Sequence, residues 1–111
     1  MTLARLIEAV GAGTARPGQY GHPDVMFMEV WPPTVSGPQL WQYASEAYDG
    51  SLDAAKRLHD AMLPGWGAML RHSTRPCVTV GYVDAVQEAQ DEDLARAWLL
   101  SILRAMEGRD G

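Results

Sequence analysis

The sequence predicts an α+β fold: a small, mainly antiparallel sheet with helices packed on its faces (an α/β/α sandwich), in a single domain spanning residues 1–111. Three observations predict it. Ser51–Gly65 spells a complete helix, with a start signal, an apolar stripe and a stop signal. Two short apolar runs flank the turn Ser73–Pro76, and so short a separation favours an antiparallel hairpin. The stretch Asp93–Met106 carries apolar residues at helical spacing on more than one face. Helices and sheets of this kind bury their apolar sides against one another in layers.

Taken in order, Leu3–Val10 reads as a short helix striped by Leu3, Leu6, Ile7 and Val10, and Gly11 and Gly13 stop it. Thr14–Asp24 reads as a loop. Val25–Trp31, VMFMEVW, is the expected first strand. It sets Val25, Phe27, Glu29 and Trp31 against the apolar Met26, Met28 and Val30, and Pro32-Pro33 closes it. Thr34–Pro38 is another loop. Gln39–Ala47 is expected to be a short helical or irregular piece, with a strand at Leu40–Gln42 as the alternative.

Ser51 then caps the central helix, and Asp53 places a negative charge in its first turn, where it suits the helix dipole. Leu52, Ala55, Leu58 or His59, and Met62 line one face, and Pro64-Gly65 ends the helix. Gly67–His72 and Cys77–Val83 form the hairpin, with Val78, Val80 and Tyr82 on one face. Asp84–Asp93 carries five acids and no base, and its last residues favour the N-terminus of the closing helix. The breadth of that helix's stripe implies either a helix sandwiched in the core or a second contact surface, so a homodimer seam along Asp93–Met106 is one expectation.

Composition bounds the function. The chain has 111 residues, enough to bury roughly 65% of its unfolded surface in one core. Its formal net charge is −5 and no basic cluster interrupts it, so binding to duplex nucleic acid is not expected. Cys77 is the sole cysteine, which excludes an intrachain disulfide and suits a reducing cytosol. No run approaches the ~18 consecutive apolar residues of a membrane span. No basic region followed by a long apolar run opens the chain, so no secretory leader is expected.

The run AYDGSLDAAKRLHDAMLPGW resembles the signature of the phage ABA sandwich domain family, small phage and prophage proteins without an established activity. Tyr48, Ser51, Leu52, Asp53, Ala54 and Ala55 match its first part, and Pro64–Trp66 its second, with Pro and Gly adjacent rather than spaced by one residue. The opening helix and the closing helix, Glu92–Met106, sit where the family has them; Arg16–Gln42 is not covered. The resemblance implies a phage or prophage accessory protein working in the cytoplasm of the bacterial host. It supplies no catalytic residues.

The candidate chemistry is sparse. No two of His22, His59 and His72 stand at a metal-ligand spacing, so neither a metal site nor a cofactor is expected. His59 reads as a polar residue at the edge of a buried stripe, and Cys77 as a buried structural thiol. Gly11-Ala12-Gly13 lacks the lysine and strand–turn–helix context of a phosphate loop. No catalytic residue is therefore assigned, and the protein is not expected to be an enzyme.

The functional hint lies in the rings: six of nine aromatic residues fall between Tyr20 and Tyr48. Either they cover the sheet and staple long loops, or they form a contact surface, since Tyr and Trp dominate binding hot spots. On the second reading Tyr20, Trp31, Trp41 and Tyr43 touch the partner, and Arg71 and Arg75 supply positive charge for a phosphate. The leading expectation is non-enzymatic binding of a bacterial host protein, for instance to inhibit a host defence system. Sequestration of a small signalling nucleotide is the first alternative; a small enzyme or a structural virion component is the other.

Overall fold

The computed structural model describes residues 3–13, 27, 30, 31, 39–71, 74–83 and 85–110, with 109 and 110 described by their backbone alone. In chain order the elements are α1 (Leu3–Ala12), α2 (Leu40–Tyr48), α3 (Leu52–Met62), β1 (Gly67–Arg71), β2 (Cys77–Tyr82), β3 (Ala85–Gln90) and α4 (Leu94–Asp110). The expected α+β class with a small antiparallel sheet is what the chain adopts: three strands in the order β1-β2-β3, both pairings antiparallel.

Helices α2 and α3 pack against each other and are joined by Asp49-Gly50-Ser51. Ala44 and Ala47 on α2, with Ala54 and Ala55 on α3, are all buried, and small side chains let two helices approach closely. Gly50 makes the connection possible. Its φ of +111° is strained for any other residue, and a Cβ there would lie 3.2 Å from an Asp93 carboxylate oxygen. Ser51 caps α3 as expected, its hydroxyl accepting from the Ala54 N–H at 3.1 Å. The outer face carries Lys56–Asp60 and Arg57–Asp53 ion pairs at 2.9 and 3.2 Å, both exposed and so worth only a few tenths of a kcal/mol each.

The longest helix, α4, runs across β2 and β3, and α1, α2 and α3 pack against α4 rather than against the sheet. Among the described residues the layers run sheet, α4, then the remaining helices. Ala97, Leu99, Ser101, Ile102 and Leu103 of α4 are fully enclosed. Its broad apolar stripe is consumed inside one protomer, which answers the sequence-based choice in favour of a sandwiched helix. Acids do start it: Asp93 accepts from the Arg96 N–H at 3.0 Å, and Asp91 accepts from the Asp93 N–H at 3.1 Å.

Two expectations are corrected. The strand Val25–Trp31 is not found in its described residues: Phe27 and Val30 are helical, and the Trp31 N–H donates to the Phe27 carbonyl at 2.8 Å, an i to i−4 bond. The Phe27 ring meets those of Trp31 and Tyr48 at 6.2 Å in each case, and all three are buried. Helical winding brings residues four apart onto one side, so Phe27 and Trp31 enter the core together. The loops expected at Thr14–Asp24 and Thr34–Pro38 lie outside the described residues.

The second correction is β3, read from sequence only as an acidic stretch. Tyr82 pairs with Ala85, so β2 and β3 are closely joined, and Val83 opens the turn between them. Val83 has φ +53°, where a β-branched side chain is strained, and it is 83% exposed. Val83→Gly is expected to stabilise the protein by about 0.5–1 kcal/mol, because it relieves the strain and removes no buried contact. Urea unfolding of the two proteins measures the difference; an unchanged or lower midpoint contradicts it.

Candidate binding surface

The sheet has two unlike faces. Val78, Val80 and Ala89 point at α4 and are buried. On the opposite face Met69, Thr79 and Glu88 stand side by side across the three strands, and Gly67, Gly81 and Val86 form the next row. Among the described residues no helix covers this face. Met69 is 61% exposed and Val86 57% exposed, while Glu88 accepts from Thr79 at 3.3 Å and pairs with Arg71 at 3.8 Å. The apolar exposure continues round the hairpin tip through Val83 to Tyr82, which is 52% exposed. Among the described residues, four of the five exposed large hydrophobic residues belong to this one region, the fifth being Leu52. Edge strand β1 is exposed at every position but Leu70 and carries neither proline nor an inward charge to blunt it.

Tyr82 lies against Trp66, rings 6.1 Å apart and 22° from parallel. Trp66 is fixed from behind. Its carbonyl accepts from His59 Nε2 at 2.8 Å, and the Trp98 indole N–H donates to His59 Nδ1 at 3.2 Å. Both imidazole nitrogens are thus committed, one as donor and one as acceptor, and His59 is buried. This imidazole ties α3, the turn into β1 and α4 together; it reaches no carboxylate among the described residues. Beside Trp66 a cavity of about 150 Å³ opens between Ala85 and Gln87 of β3 and Ala105 and Gly108 of α4.

Two polar cavities lie elsewhere. One of about 170 Å³ sits at the C-terminal end of α1, between Gly13, Arg75, Asp91, Glu92 and Arg96. The other, about 300 Å³, is bounded by Arg75, Glu88, Gln90 and Arg104. Arg75 borders both. Arg104 Nη1 donates to the Glu88 carbonyl at 2.6 Å. Arg96 serves the fold by joining α2 to α4. Its Nε and Nη2 donate to the Tyr48 carbonyl at 3.3 and 3.2 Å, satisfying the last turn of α2, and its guanidinium stacks 4.2 Å from the Tyr48 ring centroid.

The residues expected to form an aromatic contact surface are dispersed. Trp31 is 4% exposed and belongs to the core, which corrects its assignment to a contact surface. Trp41 and Tyr43 are half-buried against that core, and the guanidinium of Arg57 lies 5.9 Å from the Tyr43 ring centroid. Among the described residues the buried indole N–H groups of Trp31 and Trp41 find no acceptor. Tyr20 lies outside the described residues, as do His22 and His72. Arg71 and Arg75 are both exposed, Arg71 on the open sheet face and Arg75 at the mouths of the polar cavities. Among the described residues the exposed ring is Tyr82, stacked on the half-buried Trp66. Sequence reasoning missed them as a pair, although the alternation of β2 already set Tyr82 on the face of Val80 and the Pro64-Gly65 turn already aimed Trp66 at the sheet.

Cys77 is buried and free. Among the described residues no group of three or more His, Cys, Asp or Glu side chains is arranged to hold a metal ion. Among them, too, no helix is long and apolar enough to cross a membrane. No protein-family model, curated protein or solved structure matches the chain.

Proposed function

We propose that the protein works by binding a protein partner through the uncovered face and tip of its sheet, and performs no bond-making chemistry. The observation that carries this reading is the exposure of Met69 and Val86 on the sheet face turned away from α4, continued by Val83 at the hairpin tip. Apolar area gathered in one place is the usual mark of an interaction site, and the adjoining Arg71–Glu88 pair supplies a polar rim. The resemblance carried by Tyr48, Ser51–Ala55 and Pro64–Trp66 supports the setting: a phage accessory protein in the bacterial host cytoplasm, acting on a host protein, for instance one of a defence system.

The double variant Met69→Lys, Val86→Lys tests it. Both side chains are more than half exposed, so stability should change by no more than about 0.5 kcal/mol for each substitution. Wild-type protein immobilised in host lysate should retain a partner that the double variant loses at least tenfold. Equal retention by both proteins, or no retained protein with either, rejects the reading.

A phosphate-bearing small ligand is the second reading. It is favoured by the position of Arg75 between two polar cavities that also expose Arg96 and Arg104. A nucleotide held there by the folded state alone raises the melting temperature. Unchanged melting with nucleoside mono-, di- and triphosphates excludes it.

A further inference from the structure

We infer that the cavity beside Trp66 is a binding site for a small planar aromatic molecule of one or two rings. This does not rest on the partner-binding reading, whose test residues Met69 and Val86 lie on the opposite face of the sheet.

Size comes first. The cavity holds about 150 Å³. An apolar cavity near ~150 Å³ accommodates a benzene-sized molecule. Its lining gives the chemistry: Trp66 forms one wall, Ala85 and Ala105 are methyl surfaces, and among the described residues the Gln87 side chain is the polar group able to meet a ligand edge. Among the described residues no charged side chain lines it. An aromatic ring gains there, since it can lie against the indole in an offset or edge-to-face arrangement.

The wall is also held in place. Pro64 and Gly65, the latter at φ +86°, turn the chain so that Trp66 leaves the helical layer. His59 holds the Trp66 carbonyl at 2.8 Å and is itself anchored by Trp98 on α4. Tyr82 supports the indole from the sheet side. A ligand therefore meets a preformed surface and orders little on arrival, which is what makes a small contact area sufficient. Gln87 distinguishes a heteroaromatic ligand with a hydrogen-bonding edge from a bare hydrocarbon.

The test uses indole, phenol and toluene as probes, titrated into the whole chain while the indole N–H resonances of the tryptophans are followed by NMR. The Trp66 signal, identified by its loss in Trp66→Phe, should shift saturably. Half-saturation is expected at ~1 mM, the strength open to a half-enclosed ligand of about nine heavy atoms. Gly108→Leu should fill the cavity and weaken indole at least tenfold. A Cβ at Gly108 meets nothing closer than 3.8 Å, and leucine favours a helix over glycine, so this variant is expected to melt no lower than wild type. Gln87→Leu should retain toluene and lose the preference for indole and phenol. The inference is overturned if no probe moves the Trp66 signal up to ~10 mM, a tenfold excess over that half-saturation. Indole binding equally to wild type and to a folded Gly108→Leu variant also overturns it.

Discussion

Trp31→Ala is expected to destabilise the protein by about 3–5 kcal/mol, a large share of the ~5–15 kcal/mol that holds a small domain folded. Trp31 is 4% exposed, and its ring lies 6.2 Å from that of Phe27, which in turn meets Tyr48 at the end of α2. Removing the indole takes the neighbour from Phe27, and through Phe27 loosens the end of α2, where Arg96 already spans to α4. Trp31→Phe separates the causes. It keeps a ring in the core and removes a buried indole N–H that finds no acceptor among the described residues, so lost volume and relieved desolvation oppose each other. The phenylalanine variant should stay within about 1.5 kcal/mol of wild type. Chemical denaturation of the three proteins reads both numbers. An alanine variant as stable as wild type removes Trp31 from the core and restores it as a surface residue.

That residue also shows where sequence reasoning stops. VMFMEVW alternates cleanly enough for a strand, yet Phe27, Val30 and Trp31 also stand three and four apart. A run of seven apolar-rich residues carries both periods, and periodicity alone does not choose between them. The choice is made by tertiary packing, since winding the backbone places Phe27 and Trp31 against Tyr48. β3 was hidden for the opposite reason. Ala85, Gln87, Glu88, Ala89 and Gln90 have poor strand propensity, and Val83 stands in a hairpin turn without the glycine or asparagine that marks one. β2 supplies the pairing that their side chains do not advertise. By contrast, the two ends of Ser51–Gly65 were legible, because each signal acts within a few residues: the serine hydroxyl on Ala54 N–H at the start, the proline and glycine at the end. Of the expected stripe Ala55, Leu58 and His59 are buried, while Leu52 is 41% exposed and Ala54 takes an inward place. The uncovered sheet face was beyond reach. Alternation in Cys77–Tyr82 tells which residues share a side, but not that α4 covers one side while the other helices stack behind α4.

His59→Ala carries the second large effect, a destabilisation of about 3–4 kcal/mol from two sources that both act inside the core. Deleting a buried ring leaves a void, and the void costs on the order of 2–3 kcal/mol. The Trp98 indole N–H, which donates only to His59 Nδ1 at 3.2 Å, then loses its acceptor, and stranding a buried donor costs about 1–3 kcal/mol more, partial relaxation reducing the sum. The Trp66 carbonyl suffers less, being next to a half-buried residue that solvent can approach. The contribution is therefore asymmetric: the bond to α4 matters for stability, the bond to Trp66 for the position of the indole. His59→Phe should recover most of the packing term and none of the hydrogen bonding, falling between alanine and wild type. A His59→Ala, Trp98→Phe double variant isolates the polar part, because with no indole N–H present nothing is left stranded. Its loss should be smaller than the sum of the two single losses by about 1 kcal/mol or more. Additive losses in denaturant titrations mean that the Trp98–His59 bond contributes nothing, and the imidazole then holds its place by shape alone.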